Sequence, residues 1–307
     1  MKFSCLDNVW HFKVVKYQNQ NFSNGIFFGI IEKDQDNIDN LQKIFTYKNL
    51  GNLPIGIIKG DFDKNINELL DQKHNLAPTF FLVDPFGFSI RYETLKRIMS
   101  VKNGKSEIFL NFMFNSVQRF LKAPRIEHHI DNLFGCTEWR DIKSNNEAKE
   151  KDIIDLFQAQ LKGFSKYVFP YRLSFPDKDM TYYYMIHLTN NLEACSIMKD
   201  AFAKFNEGKV EYIGRKSDIK QMNIFDTSDY IITACAGYLS GKYNNTSLTY
   251  GKILEENIDS TEFLERHFRE AIRSLLKNNT IQITQIPPTT STGRQKKKID
   301  YTDIIRF

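Results

Sequence analysis

The chain has 307 residues, 41% of them hydrophobic and 14% aromatic, with 26 phenylalanines. That is enough apolar material for a large core, and it excludes a chain that stays unfolded for want of one. A net charge of +5 permits contact with nucleic acid without demanding it. Cys5, Cys136, Cys195 and Cys235 form no CxxC pair, which argues against a zinc site or a disulfide framework and fits a reducing cytoplasm. No apolar run approaches the roughly 18 residues of a membrane span, and MKFSCLDNVWHFK lacks the apolar centre of a signal peptide. The expected setting is cytoplasmic, with no membrane.

The segment NVWHFKVVKYQNQNF reads as a crossover helix or its tail. GIFFGIIEKD, from Gly25, is an apolar run ending in a carboxylate and reads as a buried strand closed by Glu32. Ile38, Leu41, Ile44 and Phe45 then recur at helical spacing. PIGIIKGD repeats the pattern and ends on Asp61, and NINELLDQKHN is a short helix.

In FFLVDPFGFS four apolar residues run into Asp84, Pro85, Phe86 and Gly87, the ending expected of a strand buried on both faces. YETLKRIMS is helical, SEIFLNFMF is strand-like with Asn111 near its end, and SVQRFLK is helical again. Strands alternating with helices predict an α/β fold, a largely parallel Rossmann-like sheet. Right-handed crossovers gather the strand ends, and with them Glu32, Asp61 and Asp84, on one rim. Ligands of open α/β sheets bind at that rim. The plainer reading makes these acids helix caps, or pairs Asp61 with Lys59. Asn111 reads equally well as a rim contact and as a side chain that satisfies backbone groups.

Residues 125–165 are charged and helix-prone, with DIIDLFQAQLKGF the most amphipathic part. YYYMIHLTNN is a strand and EACSIMKDAFAKF a helix, a pair able to complete the sheet's second half. From Ser247 onward two or three short helices precede IQITQI and IDYTDIIRF, joined by PPTTSTGRQKKK. Helices followed by a hairpin with a basic tip describe a winged helix-turn-helix, with Arg294, Lys296, Lys297 and Lys298 on the wing as nucleic-acid contacts or as a solvated loop tip. The domains expected are 1–246, Rossmann-like, and 247–307, winged. His128 and His129 point in different directions as neighbours and have no third ligand nearby, so no metal site is expected.

The series IIEKD, IIKGDF, TFFLVDPFGFS and EIFLNFMFNSVQRF, with YYYMIHLTNN and the winged tail, resembles the three-Cys-motif partner protein family (TcmP). The resemblance implies a methyltransferase-type sheet with inserted helices, acting with a partner that bears three cysteines and an iron–sulfur cluster, on nucleic acid or another acceptor. It implies S-adenosylmethionine as cofactor, with Glu32 on the ribose hydroxyls and Asp61 on the adenine amino group. The Asp84-Pro85-Phe86-Gly87 turn then faces the substrate: Asp84 accepts from the nucleophile's N–H and Phe86 stacks on a planar base. The turn is similar to the Asp-Pro-Pro-Tyr type of amino-methyltransferases, with glycine where the tyrosine would stand.

One departure is plain. The 24 residues before Gly25 contain no glycine, so the first strand and the glycine-rich turn that would enclose the methionine end are expected to be missing, by truncation or degeneration. The competing expectation is therefore a catalytically degenerate scaffold, or a nucleic-acid-binding protein that works through its winged helix.

Overall fold

A computed structural model describes residues 14–17, 27–47, 54–72, 76–85, 87–101, 105–121, 124–144, 150–174, 181–204, 210–212, 227–289, 294, 296 and 298–307. The elements alternate from the start: β1 (Val14–Tyr17), β2 (Phe27–Glu32), α1 (Gln35–Tyr47), β3 (Ile55–Lys59), α2 (Phe62–Gln72), β4 (Thr79–Val83), α3 (Tyr92–Met99) and β5 (Ser106–Phe112). Helices α4 (Phe114–Phe120), α5 (Glu127–Phe134), α6 (Trp139–Ser144) and α7 (Glu150–Lys162) follow, and then β6 (Tyr167–Ser174) and β7 (Thr181–Thr189). The remainder is α8 (Leu192–Lys204), β8 (Val210–Tyr212), α9 (Thr227–Lys242), β9 (Ser247–Thr249), α10 (Tyr250–Asn257), α11 (Glu265–Lys277), β10 (Gln282–Thr284) and β11 (Ile304–Arg306).

The chain divides into two compact units, one of residues 1–191 with 206–211, the other of 192–205 with 212–307. The second unit thus reaches well upstream of residue 247. The reason is packing: α9 lies against α11, and both turn apolar residues inward, Cys235 and Leu239 from one and Phe268, Ala271 and Ile272 from the other.

The first unit is an α/β protein built on a mixed sheet of order β3-β2-β1-β4-β5-β7-β6-β8. β2 pairs with β3 and β4 with β5 in parallel. β1 is antiparallel to both β2 and β4, and β7 is antiparallel to both β5 and β6. Chaining these relations, β2, β3, β4, β5 and β6 all run one way while β1 and β7 run the other. Their carboxyl ends therefore share one rim, as the alternating pattern predicts.

Two expectations change here. Val14–Tyr17 is a strand in the centre of the sheet and not part of a crossover helix: Val14 pairs with Ile30 on one side and Leu82 on the other. Two β-branched residues favour an extended chain, and neighbours on both sides satisfy its backbone. The strand FFLV is also not buried on both faces. Phe81 and Val83 are fully buried, whereas Phe80 and Leu82 are half-buried, and β5 alternates likewise with Ile108, Leu110 and Phe112 inside. On that inner face Phe112 stacks on Phe157 of α7 at 4.7 Å, and Phe134 of α5 packs against Phe157 at 5.1 Å.

The stripe predicted on α1 holds at Ile38 and Leu41, which are buried, while Ile44 is exposed. In α7 the amphipathic face is clear, with Ile153, Ile154, Phe157 and Leu161 all inside. The second unit carries a small antiparallel sheet of order β10-β11-β9. Among the described residues no helix is long and apolar enough to cross a membrane.

Candidate functional site

Glu32 ends β2, and Gly60 N–H donates to its backbone carbonyl at 2.9 Å, which ties the ends of β2 and β3 together. The Glu32 side chain is buried, and its Oε1 accepts the backbone N–H of Asp34 at 2.8 Å. Asp34 in turn accepts from the N–H groups of Asp36 and Asn37, so it caps α1. Asp61 accepts the N–H of Lys64 at 3.1 Å and does the same for α2. Lys59 does not pair with Asp61; its ammonium donates to Gln35 Oε1 at 2.8 Å. The rim acids of β2 and β3 thus serve, at least in part, to order the turns that start their helices.

Asp84 differs. The helix after it, α3, has Arg91 as its N-cap residue and no side-chain capping bond, so Asp84 is not the cap of that helix: residues 85–91 stand between them. Its carboxylate instead accepts from the side-chain amide of Asn111, Nδ2 to Oδ1 at 2.7 Å. Val83 pairs with Leu110, so Asp84 and Asn111 follow as neighbours at the carboxyl ends of β4 and β5 and project to the same face. Pro85 is buried. Phe86 lies outside the described residues. Gly87 adopts φ +57°, a left-handed turn that favours glycine, and nothing lies within 4 Å of where its Cβ would be.

The rim is divided by β1. Glu32 and Asp84 stand on β2 and β4, with β1 between them, so the two acids are about 10 Å apart at ordinary strand spacing. Because β1 runs against its neighbours, Val14 is its residue nearest the rim and Tyr17 its farthest. The carboxyl end of β1 therefore lies at the edge opposite Glu32 and Asp84.

In the second unit the hairpin between β10 and β11 carries the basic run. Arg294 and Lys298 are exposed, and Lys297 lies outside the described residues. Lys296 turns inward and is buried: its ammonium donates to Asp303 Oδ1 at 2.8 Å, to the Ile286 carbonyl at 3.2 Å and lies 2.8 Å from Asp300. Burial opposes its charge, but Asp300 and Asp303 hold its pKa above the ordinary lysine value. The carboxylate of Asp303 is held below its usual range, against burial, by Lys296 and by the amides of Asp300 and Ile286.

Sequence reasoning did not single out Lys199. It is fully buried, and its ammonium donates to the carbonyls of Ile258, Thr261 and Phe263 at 2.6, 2.8 and 2.7 Å, closing the end of α10 and the turn into α11. Its only signal in the sequence is a lysine on the apolar side of an otherwise ordinary helix. His128 and His129 are both exposed with rings 3.8 Å apart, and among the described residues no group of three or more His, Cys, Asp or Glu gathers as a metal site.

No family model, no curated protein and no solved structure matches the chain.

Proposed function

We propose that the protein is a methyltransferase-type scaffold of the three-Cys-motif partner kind, joined to a winged-helix unit, and that it acts by binding a three-cysteine partner and not by transferring methyl groups. One observation carries the reading. The order β3-β2-β1-β4-β5-β7-β6, with β8 beyond β6, is similar to the doubly wound order 3-2-1-4-5-6 with an antiparallel strand inserted before the last, which supports a methyltransferase-like sheet even though β1 is antiparallel here as well. Arguing against turnover are the reversed β1, which removes the place for a glycine-rich turn at the rim, and the use of Glu32 and Asp61 in turn geometry.

A second reading, nucleic-acid binding, is favoured by the C-terminal topology. The sequence α9-β9-α10-α11-β10-β11, with β11 between β10 and β9, is compatible with a winged helix, in which α11 would take the place of the recognition helix. Arg294 and Lys298 then stand on the wing.

The test is calorimetric titration with S-adenosylmethionine, together with co-expression beside a three-cysteine protein encoded next to this one. The expected results are no saturable heat below about 1 mM, near −4 kcal/mol, and a complex that co-elutes on gel filtration without transfer of labelled methyl groups. A dissociation constant of a few micromolar with labelled product would restore the enzyme reading, and an intact chain eluting alone would remove the partner.

A further inference from the structure

We propose that β3 is a docking edge and that its partner is the β3 strand of a second copy of this chain. β3 stands at one end of the sheet, with β2 on one side and, among the described residues, no strand on the other. Two hydrogen bonds fix the direction of its backbone groups: Phe28 N–H donates to the Pro54 carbonyl and Gly60 N–H to that of Glu32, each at 2.9 Å. Even-numbered residues thus turn their amides and carbonyls to β2, and those of Ile55, Ile57 and Lys59 point out of the sheet. Such a row is a template for another strand, and folded proteins guard it with charge, proline, a bulge or a cover. The strand IGIIK has no proline and pairs with β2 in unbroken register. Its one charged side chain, Lys59, is drawn onto Gln35 at 2.8 Å, while Ile58 is 49% exposed. Next to it α1, which packs on β2 and β3, leaves Ile44 exposed although Ile44 continues the buried stripe of Ile38 and Leu41.

Self-complementarity selects a second copy as the occupant. An antiparallel pair of two β3 strands with its two-fold axis at Ile57 sets Ile57 opposite its own counterpart and Ile55 opposite Lys59. All three residues carry outward backbone groups, so each of these is a hydrogen-bonded pair and every outward donor meets an outward acceptor. No other register uses all three residues of both strands. On the opposite face Gly56 falls across from Ile58, and the missing side chain leaves room for the exposed isoleucine. The Lys59 stem covers Ile55 without placing two ammonium groups against each other. A five-residue strand pair with Ile44 at its margin lies at the small end of specific interfaces, below about 1,200 Å² in total, so the dimer is weak and exchanges with monomer. The inference is independent of S-adenosylmethionine and of the three-cysteine partner.

Sedimentation velocity of the full chain over about 1–300 μM should show a monomer–dimer equilibrium in the micromolar range. Ile57→Pro removes a donor that faces away from the sheet of the single chain, so the variant should fold and associate at least about tenfold more weakly. Cysteine cross-linking reads the register. Ile57→Cys brings two thiols across the axis at a Cα separation of about 5.5 Å, within disulfide reach, whereas Lys59→Cys leaves them more than about 10 Å apart. Mild oxidation should trap a dimer of the first above the wild-type background and none of the second, and this contrast decides alone should the proline variant not fold. A wild-type chain that stays monomeric throughout, undiminished association of a folded Ile57→Pro protein, or equal trapping of the two cysteine variants would overturn the proposal. So would slow hydrogen exchange at the Ile55, Ile57 and Lys59 amides in a dilute, monomeric sample, because another segment of this chain would then already cover the edge.

Discussion

Lys296 and Asp303 face each other across the C-terminal hairpin with 2.8 Å between ammonium and carboxylate, and both side chains are almost completely shielded. Asp303 also accepts the N–H groups of Ile286 and Asp300, each at 2.9 Å. The hairpin is thus organised around one carboxylate. Asp303→Ala leaves two amides and an ammonium short of an acceptor and should destabilise the second unit by about 2 kcal/mol. Chemical denaturation followed by tyrosine fluorescence measures it, and a loss below about 0.5 kcal/mol would show that the hairpin is held by its strands alone.

The same geometry divides the basic run by role. Arg294 and Lys298 are exposed and could contact phosphates in a nucleic-acid complex, whereas Lys296 is committed to Asp300 and Asp303. Replacing Arg294 and Lys298 together by alanine should lower the log–log salt slope of duplex binding by about 2 units. Lys296→Ala should weaken the fold before it changes that slope. Fluorescence anisotropy across a salt series separates the two outcomes.

His267 gives the second unit an acid-sensitive point. Its Nδ1 accepts the backbone N–H of Leu264 at the start of α11, at 3.2 Å, which requires a neutral ring. Burial first, then Arg266 and Lys199, push its pKa down from 6.5 to about 4. Between those values the unfolded chain takes up a proton that the folded protein refuses. Its contribution to stability is therefore complete above pH 6.5 and is lost as the pH falls toward 4. His267→Gln keeps an acceptor for the same N–H and should flatten the fall in melting temperature over that range. An unchanged pH profile would assign the acid sensitivity to other groups.

Lys199 is the cation at the end of α10. Lys199→Met fills similar volume but leaves the carbonyls of Ile258, Thr261 and Phe263 without their shared donor. The expected loss is at least about 2 kcal/mol. Hydrogen exchange should localise it, with faster exchange in α10 and α11 and no change across β4 and β5. Uniform acceleration over the whole chain would mean that the ammonium is not a local clasp.

Much of the sheet was legible because its signals are local. TFFLV and SEIFLNF announce β4 and β5 by apolar runs that need no distant partner to be recognised, and the carboxylates at the strand ends are visible as soon as the runs are. The helix α7 was equally plain, since its buried residues fall on one stripe. Other elements carried mixed signals. Pro170 interrupts the pattern of β6, although the strand pairs along β7 through that residue, and α9 mixes small and apolar residues without a clear polar face, so its helical period is faint.

What only the tertiary structure decided was direction and partnership. Val14–Tyr17 is four residues long, and nothing in so short a strand says which way it runs between β2 and β4; that depends on where the chain enters and leaves the sheet. A lysine in a basic run carries the same charge whether it faces solvent or, as Lys296 does, a carboxylate seven positions further on. Asp61 and Asp84 both follow apolar strands and look alike in sequence, yet one accepts from the helix that begins beside it and the other from an asparagine on the neighbouring strand. Hydrophobic periodicity indicates which side of an element turns inward where polar and apolar residues alternate, as in α7, but not in a uniform run such as β4, where Phe80 and Leu82 are half-buried. The choice of hydrogen-bond partner depends on a few ångströms of separation between distant parts of the chain, and only the fold supplies that.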